Sequence, residues 1–438
     1  MNRLLKVFLG VILAAVSAGC GRDYRDELVV TSPHSPEIRN EFARGFSDWY
    51  LEKRGKNIDV QWLDVGGTGE CIEYVLSRRE KGDDTGVDIF FGGGTFPFIR
   101  LEKENMLEPY VLRPRISAKI PAAIHGDPVY SPKELWYGAA LSGFGIIFNR
   151  AILDDSGLPE PKTWKDLAQP ECSGWVSSGD PRYSGSIQAM YEILLQAYGW
   201  EKGWEIIARI GANVQNFEKG GSSAAKNVSR GQAAYGLSID FYAFGEIARY
   251  GRDRLGFVLP EGETVVNPDG IGLLKNAPNE KAAEDFIEYV LSEGQKLWMF
   301  RKGVKGGPVE KTLSRFSVDE TLYDADPEKL AVTMNPFKIK SALDYDESRA
   351  GKRWSILGDL IAAFVIVPHR ELKESWQEII RQNLPEEEYA RFFRIELTEA
   401  RALELAETWD DKENAEKRIK LMNTWTENAR QRFSSVEK

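Results

Sequence analysis

Apolar residues recur along this chain with two periods, two and 3.6, and the switches between them mark its elements. Leu28-Val29-Val30-Thr31 predicts a strand, and after the loop Ser32 to Pro36 the residues Ile38, Phe42, Phe46 and Tyr50 repeat at helical spacing. A second strand, Ile58 to Trp62, runs into Gly66-Gly67-Thr68-Gly69-Glu70 and a helix from Cys71; a third, Val87 to Phe91, ends at Gly92-Gly93-Gly94-Thr95. Strand, glycine-rich loop and helix in repetition predict an α/β fold on a parallel-type sheet. Such sheets bind ligands beyond the carboxyl ends of their strands, where His34 and the Gly66–Glu70 and Gly92–Thr95 loops fall.

The same alternation resumes further on. Gly174 to Ser178 predicts a strand, Ser184-Gly185-Ser186 a loop and Ile187 to Tyr198 an apolar helix. Ser222-Ser223 open a helix that includes Val228, Ala234 to Ser238 is strand-like, and Asp240-Phe241-Tyr242 lead another helix. Between the two blocks, Ala139 to Phe148 is apolar without a helical period, which predicts a strand crossing between lobes; Val265 to Leu274 predicts the return. Lobe one is therefore expected over residues 28–140 and 275–340, lobe two over 141–274, with a hinge cleft between them. After Gly307-Pro308 the periodicity weakens as far as Tyr345. Ile356 to Val367 then predicts a buried helix ended by Pro368, and Glu386 to Arg432 a charged, surface-packed helical tail, so that residues 341–438 form a C-terminal helical extension.

The amino-terminal residues 1–19 have a different pattern. Arg3 and Lys6 precede an apolar run from Val7 to Val16, followed by Ser17-Ala18-Gly19 and Cys20. The run is short of the roughly 20 residues that span a bilayer, and small residues ending in cysteine resemble the lipobox of bacterial lipoproteins. That resemblance implies cleavage before Cys20, a lipid on its sulfur, residues 20–27 as a tether, and an exported, membrane-anchored protein. The net charge is −10 over 438 residues, and loss of Arg3 and Lys6 with the signal leaves the remainder more acidic still. Nucleic acid and anionic membrane surface are poor partners for such a chain. Cys71 and Cys172 have no metal or redox spacing; the compartment permits a disulfide between them, and two buried thiols are the alternative. Neither G-x-S-x-G nor H-E-x-x-H occurs, and His34, His125 and His369 are the only histidines, so a binding protein without cofactor is expected rather than an enzyme.

Several ordered segments resemble the type II solute-binding proteins of bacterial ABC importers, the group with ferric-iron, polyamine and phosphonate receptors. They are Val87-Asp88-Ile89-Phe90, Lys162-Thr163-Trp164-Lys165-Asp166-Leu167, Pro260-Glu261-Gly262 with the following glycine strand, and Leu291-Ser292-Glu293-Gly294-Gln295. The resemblance runs from about Leu28 to Pro308 and implies a monomeric two-lobed receptor that closes over a small solute and hands it to a membrane permease. The candidate cleft is rich in small and hydroxylated residues: Gly67, Thr68, Thr95, Ser142, Ser184, Gly185, Ser186, Ser222 and Ser223. Several of these precede helices, whose free N–H groups favour an anion. Glu70 or Asp240 would then face an amine or hydroxyl, giving a phosphonate- or organophosphate-like solute as the first expectation. The alternative comes from the likeness to ferric receptors, which implies His34, Glu70 and Tyr242 as iron ligands, with Phe241 where those receptors place a first tyrosine. A ligand sensor for a membrane receptor kinase is a further alternative.

Overall fold

The computed structural model describes residues 25–80, 85–339 and 343–436. Cys20, the export signal and most of the tether lie outside the described residues, as does the boundary expected at 340/341. The strands are β1 (Asp26–Thr31), β2 (Ile58–Leu63), β3 (Ile89–Phe91), β4 (Leu107–Glu108), β5 (Ala123–Ile124), β6 (Asp127–Pro128), β7 (Tyr137–Asn149), β8 (Val176–Gly179), β9 (Val214–Glu218), β10 (Tyr235–Ile239), β11 (Leu255–Val258) and β12 (Val266–Leu274). Strand β1 thus starts at Asp26, ahead of the expected Leu28, because Asp26 and Glu27 already pair with Ile58 and Asp59.

A ten-stranded sheet runs in the order β2-β1-β3-β12-β7-β10-β8-β9, with β4 beside β12 and β11 beside β7. The expectation of a parallel-type sheet holds at its two ends, where β1 pairs in parallel with β2 and β3, and β8 with β9 and β10. The middle is antiparallel, so the sheet is mixed. All 13 residues of β7 are buried, which is why this stretch reads as an unbroken apolar run. Its first half pairs with β12 and its second with β10 and β11, so one strand belongs to both lobes.

Two large cores flank this crossing. One gathers Leu28, Phe42, Phe91, Phe286 and Trp298 in lobe one. The other gathers Ile146, Trp164, Ile187 and Trp204 in lobe two, and with them Leu360, Phe364, Trp376, Phe393 and Phe433. The expected surface tail is therefore built into the lobe-two core. Its helices are Glu347–Ile361, a π-helical turn Ala362–Ile366, His369–Gln382, Glu386–Phe393, Glu399–Ala406 and Ala415–Ser434. The helical run ends at Ile366, with a turn at Val367 and Pro368 as expected, and a new helix follows from His369. Cys71 and Cys172 are free buried thiols in separate cores, which decides between the two expectations for them.

Candidate functional site

The inter-lobe cleft has a volume of about 890 Å³, within the usual range for small-molecule pockets. Its deepest part is assembled by three chain segments. His34 follows β1, Asp269 lies on β12, and Arg315 comes from the irregular segment after the last lobe-one helix. Arg315 is fixed from both sides: its N–H bonds to the carbonyl of Trp298, and Phe316 bridges Leu141 on β7.

The Arg315 guanidinium contacts Asp269 Oδ2 through Nη2 at 2.7 Å and donates to Ser142 Oγ at 2.8 Å. Its Nη1 lies 3.1 Å from His34 Nε2, which in turn lies 2.8 Å from Asp269 Oδ2. That ring nitrogen serves one of these partners at a time, as donor to the carboxylate or acceptor from the guanidinium. Gly94 N–H donates to the other Asp269 oxygen at 2.8 Å. The sheet register shifts between Asp269 and Gly270, leaving Ala139 opposite no partner, and such a bulge re-aims a side chain. Burial alone would raise the Asp269 carboxyl, but the charge of Arg315, His34 and the Gly94 N–H together hold it well below the usual carboxylate range. Burial also lowers the basicity of His34 against the pull of Asp269. Arg315 stacks on Phe241 at 4.5 Å and on Trp298 at 5.0 Å, and its buried Nε has no partner. A guanidinium among the residues that line a cleft favours an anion there.

Three helix starts converge on the same space: Thr68–Glu80, Phe96–Lys103 and Gly185–Tyr198. Gly92, Gly93 and Gly94 all have left-handed backbones, with φ of 99°, 90° and 80°. A Cβ on Gly92 would lie 2.6 Å from the His34 ring and one on Gly93 2.9 Å from Thr68, so those two positions need glycine for both conformation and space, and Gly94 for conformation. Ser184 caps its helix by accepting from Ile187 N–H, and Ser184 Oγ lies 3.2 Å from Ser186 Oγ.

Of the residues expected at the site, His34, Gly67, Thr68, Thr95, Ser142, Ser184, Gly185, Ser186 and Tyr242 line the cleft. Four do not. Glu70 is exposed, and its side chain folds back over Gly66 and Gly67 beside its own helix start. Ser222 and Ser223 fall behind a turn at Gly220, and Gly221 takes their place against Ser184 and Ser186. Asp240 is wholly buried, with no surface to offer a solute. Sequence reasoning missed Arg315 and Asp269, and also Phe96, Tyr345, Lys352 and Trp354, the last three from the extension. One signal for the floor was present: an aspartate inside a strand that must be buried requires a cation, and Arg315 sits between Leu313 and Phe316 where arginine is otherwise out of place.

Among the described residues no three His, Cys, Asp or Glu side chains gather as a metal site, and no helix is long and apolar enough to cross a membrane. Residues 85–302 match the model of the bacterial extracellular solute-binding protein family. The phosphoglycerate transport regulatory protein PgtC of Salmonella typhimurium is 26% identical over 64% of this chain, which spans 65% of that protein's length. The periplasmic binding protein AfuA from Actinobacillus pleuropneumoniae, solved with fructose-6-phosphate, has a TM-score of 0.57 at 20% identity and covers 83% of this chain and 100% of its own. The apo ferric ion-binding protein A of Pasteurella haemolytica has a TM-score of 0.59 at 18% identity and covers 77% and 96%. The family match identifies the chain as a bacterial extracellular solute-binding protein, and the solved structures show that it shares the fold of periplasmic binding proteins, two lobes about a cleft.

Proposed function

We propose that this protein captures a compact phosphorylated or phosphonate-type organic anion in its cleft and delivers it to an ABC permease, held at the membrane by a lipid on Cys20. The observation that carries this reading is Arg315: a buried guanidinium, pre-oriented by Asp269 and Ser142, whose Nε has no protein partner. Helix starts and the serine hydroxyls of Ser184 and Ser186 supply further donors around it. Two relatives, one a phosphoglycerate transport regulatory protein and one solved with fructose-6-phosphate, support the same class.

Ferric iron, as cargo, is supported by other relatives, among them a Serratia marcescens Fe(3+)-binding periplasmic protein at 27% identity. The local chemistry favours it less. Glu70 is off the cleft, Phe241 replaces one phenol, a guanidinium approaches His34 Nε2, and burial holds the Tyr242 phenol protonated against the pull of Arg315.

Calorimetric titration with 3-phosphoglycerate and fructose 6-phosphate tests the reading. Arg315→Lys keeps the charge beside Asp269 but loses the fork, and should weaken binding about 10- to 100-fold with the fold intact. No heat with any phosphorylated compound, together with a visible tyrosinate-to-iron band on adding ferric citrate, would replace this proposal with the iron reading.

A further inference from the structure

The C-terminal extension does more than thicken lobe two, because its helix Glu347–Ile361 enters the cleft. Glu347, Ser348, Gly351, Lys352 and Trp354 all line the solute space. The indole of Trp354 stacks on Phe96 of lobe one, with ring centroids 5.5 Å apart and an interplanar angle of 19°. It also lies against Gly185 at the start of the lobe-two helix, where an added Cβ would sit 3.7 Å from the indole. Three segments therefore meet at one aromatic plane, and only one of them belongs to the extension.

This plane is held firmly. Gln188 Nε2 donates to the Trp354 carbonyl at 2.6 Å, and the neighbouring Arg353, almost fully buried, pairs with buried Glu192 at 3.1 Å. The helix thus cannot slide along the cleft without breaking a buried ion pair. Exposure gives the depth of each group. Arg315 and Asp269 are 3% and 9% exposed and mark the floor, while Trp354 and Phe96 are half-buried and Lys352 is exposed, which places them at the mouth.

We propose that Trp354 is a specificity-determining residue: stacked on Phe96, it forms a wall across the mouth of the cleft that limits the solute to a compact one, whatever anionic group Arg315 holds. The inference rests on the reading of the cleft as an anion site and sharpens it by adding a size limit. On this proposal a compact phosphorylated solute is accepted beneath the wall, whereas a larger one carrying a further ring, such as a nucleoside monophosphate, is disfavoured.

The test is a panel of affinities measured on the full chain: inorganic phosphate, 3-phosphoglycerate, fructose 6-phosphate, AMP, citrate and ferric citrate, against wild type, Trp354→Ala, Trp354→Phe, Phe96→Ala and Arg315→Lys. The expected result is that Trp354→Ala and Phe96→Ala each shift the ratio of AMP to 3-phosphoglycerate affinity by about tenfold or more towards AMP, while Trp354→Phe keeps the wild-type ratio. Circular dichroism checks the fold, and should Trp354→Ala not fold, Phe96→Ala decides, because it leaves the extension's core untouched. If the phosphorylated compounds bind and the ratio moves by less than about threefold in the alanine variants, the wall is wrong and the anion site stands. If the size limit moves only among citrate and ferric citrate, the wall stands and the phosphate reading falls. If the wild type binds no member of the panel, both are overturned.

Discussion

Asp240 shows how a single buried group can register pH. It has no exposed surface, and neither carboxyl oxygen closes a full hydrogen bond, although the N–H groups of Gly143 and Phe241 point towards it. Burial, opposed by the charge of Arg315, pushes its carboxyl up to about 8. The unfolded chain releases that proton near the usual value of about 3.9. The native state therefore binds a proton that the unfolded state gives up, so the contribution is full below about pH 4 and is lost as pH rises towards about 8. Asp240→Asn, which keeps the shape without the ionisation, should be more stable than wild type by a margin that grows on the order of 1–3 kcal/mol between pH 5 and 8. Denaturant melts at both pH values check this, and a margin that stays constant would show that Asp240 is not the titrating group. At this scale the sequence was legible where a residue's neighbours in the chain are also its neighbours in space, as for Ser184-Gly185-Ser186 or Gly92-Gly93-Gly94. It was not legible for Asp269 and Arg315, whose meaning lies in each other across the fold.

The helix Trp200–Asn213 is the element on which the extension is built. Trp200 Nε1 donates to the Leu397 carbonyl at 2.8 Å, Trp204 meets Phe364 edge-on at 5.7 Å, and Trp376 Nε1 donates to Asn213 Oδ1 at 2.6 Å. Gly211 is where the two surfaces come closest, for a Cβ there would lie 2.2 Å from Val365 Cγ1, in the π-helical turn. Val365 is fully buried and has nowhere to go. Gly211→Ala should therefore destabilise the protein by about 1–3 kcal/mol, although alanine is the better helix former, and thermal unfolding reads the outcome. A stabilised variant would mean that the turn can retreat. Period alone predicted helices in this tail and a strand at Ala139 to Phe148. It could not say what the apolar face of a tail helix packs on, because an amphipathic pattern reveals which side is buried and not against what.

For the whole molecule, the extension and lobe two share one core, so neither is complete alone. A chain ending after Ile339 would uncover Trp200, Trp204 and Gly211, which all meet the extension. We expect it to bind a hydrophobic dye and to lose its cooperative thermal transition; an unchanged transition would make the extension a mere appendage. The two-lobed plan was legible because its strand and loop signals recur in order along the chain, whereas the merger of tail and lobe is long-range and leaves no local trace. Topology adds a further consequence. The main chain passes from lobe one to lobe two along β7 and returns along β12, then changes sides again between Ile339, which packs on the lobe-one core, and Leu343, which packs on that of lobe two. The number of passages is odd. The first described strand and the last described helix consequently belong to opposite bodies, which are joined by three covalent connections instead of two.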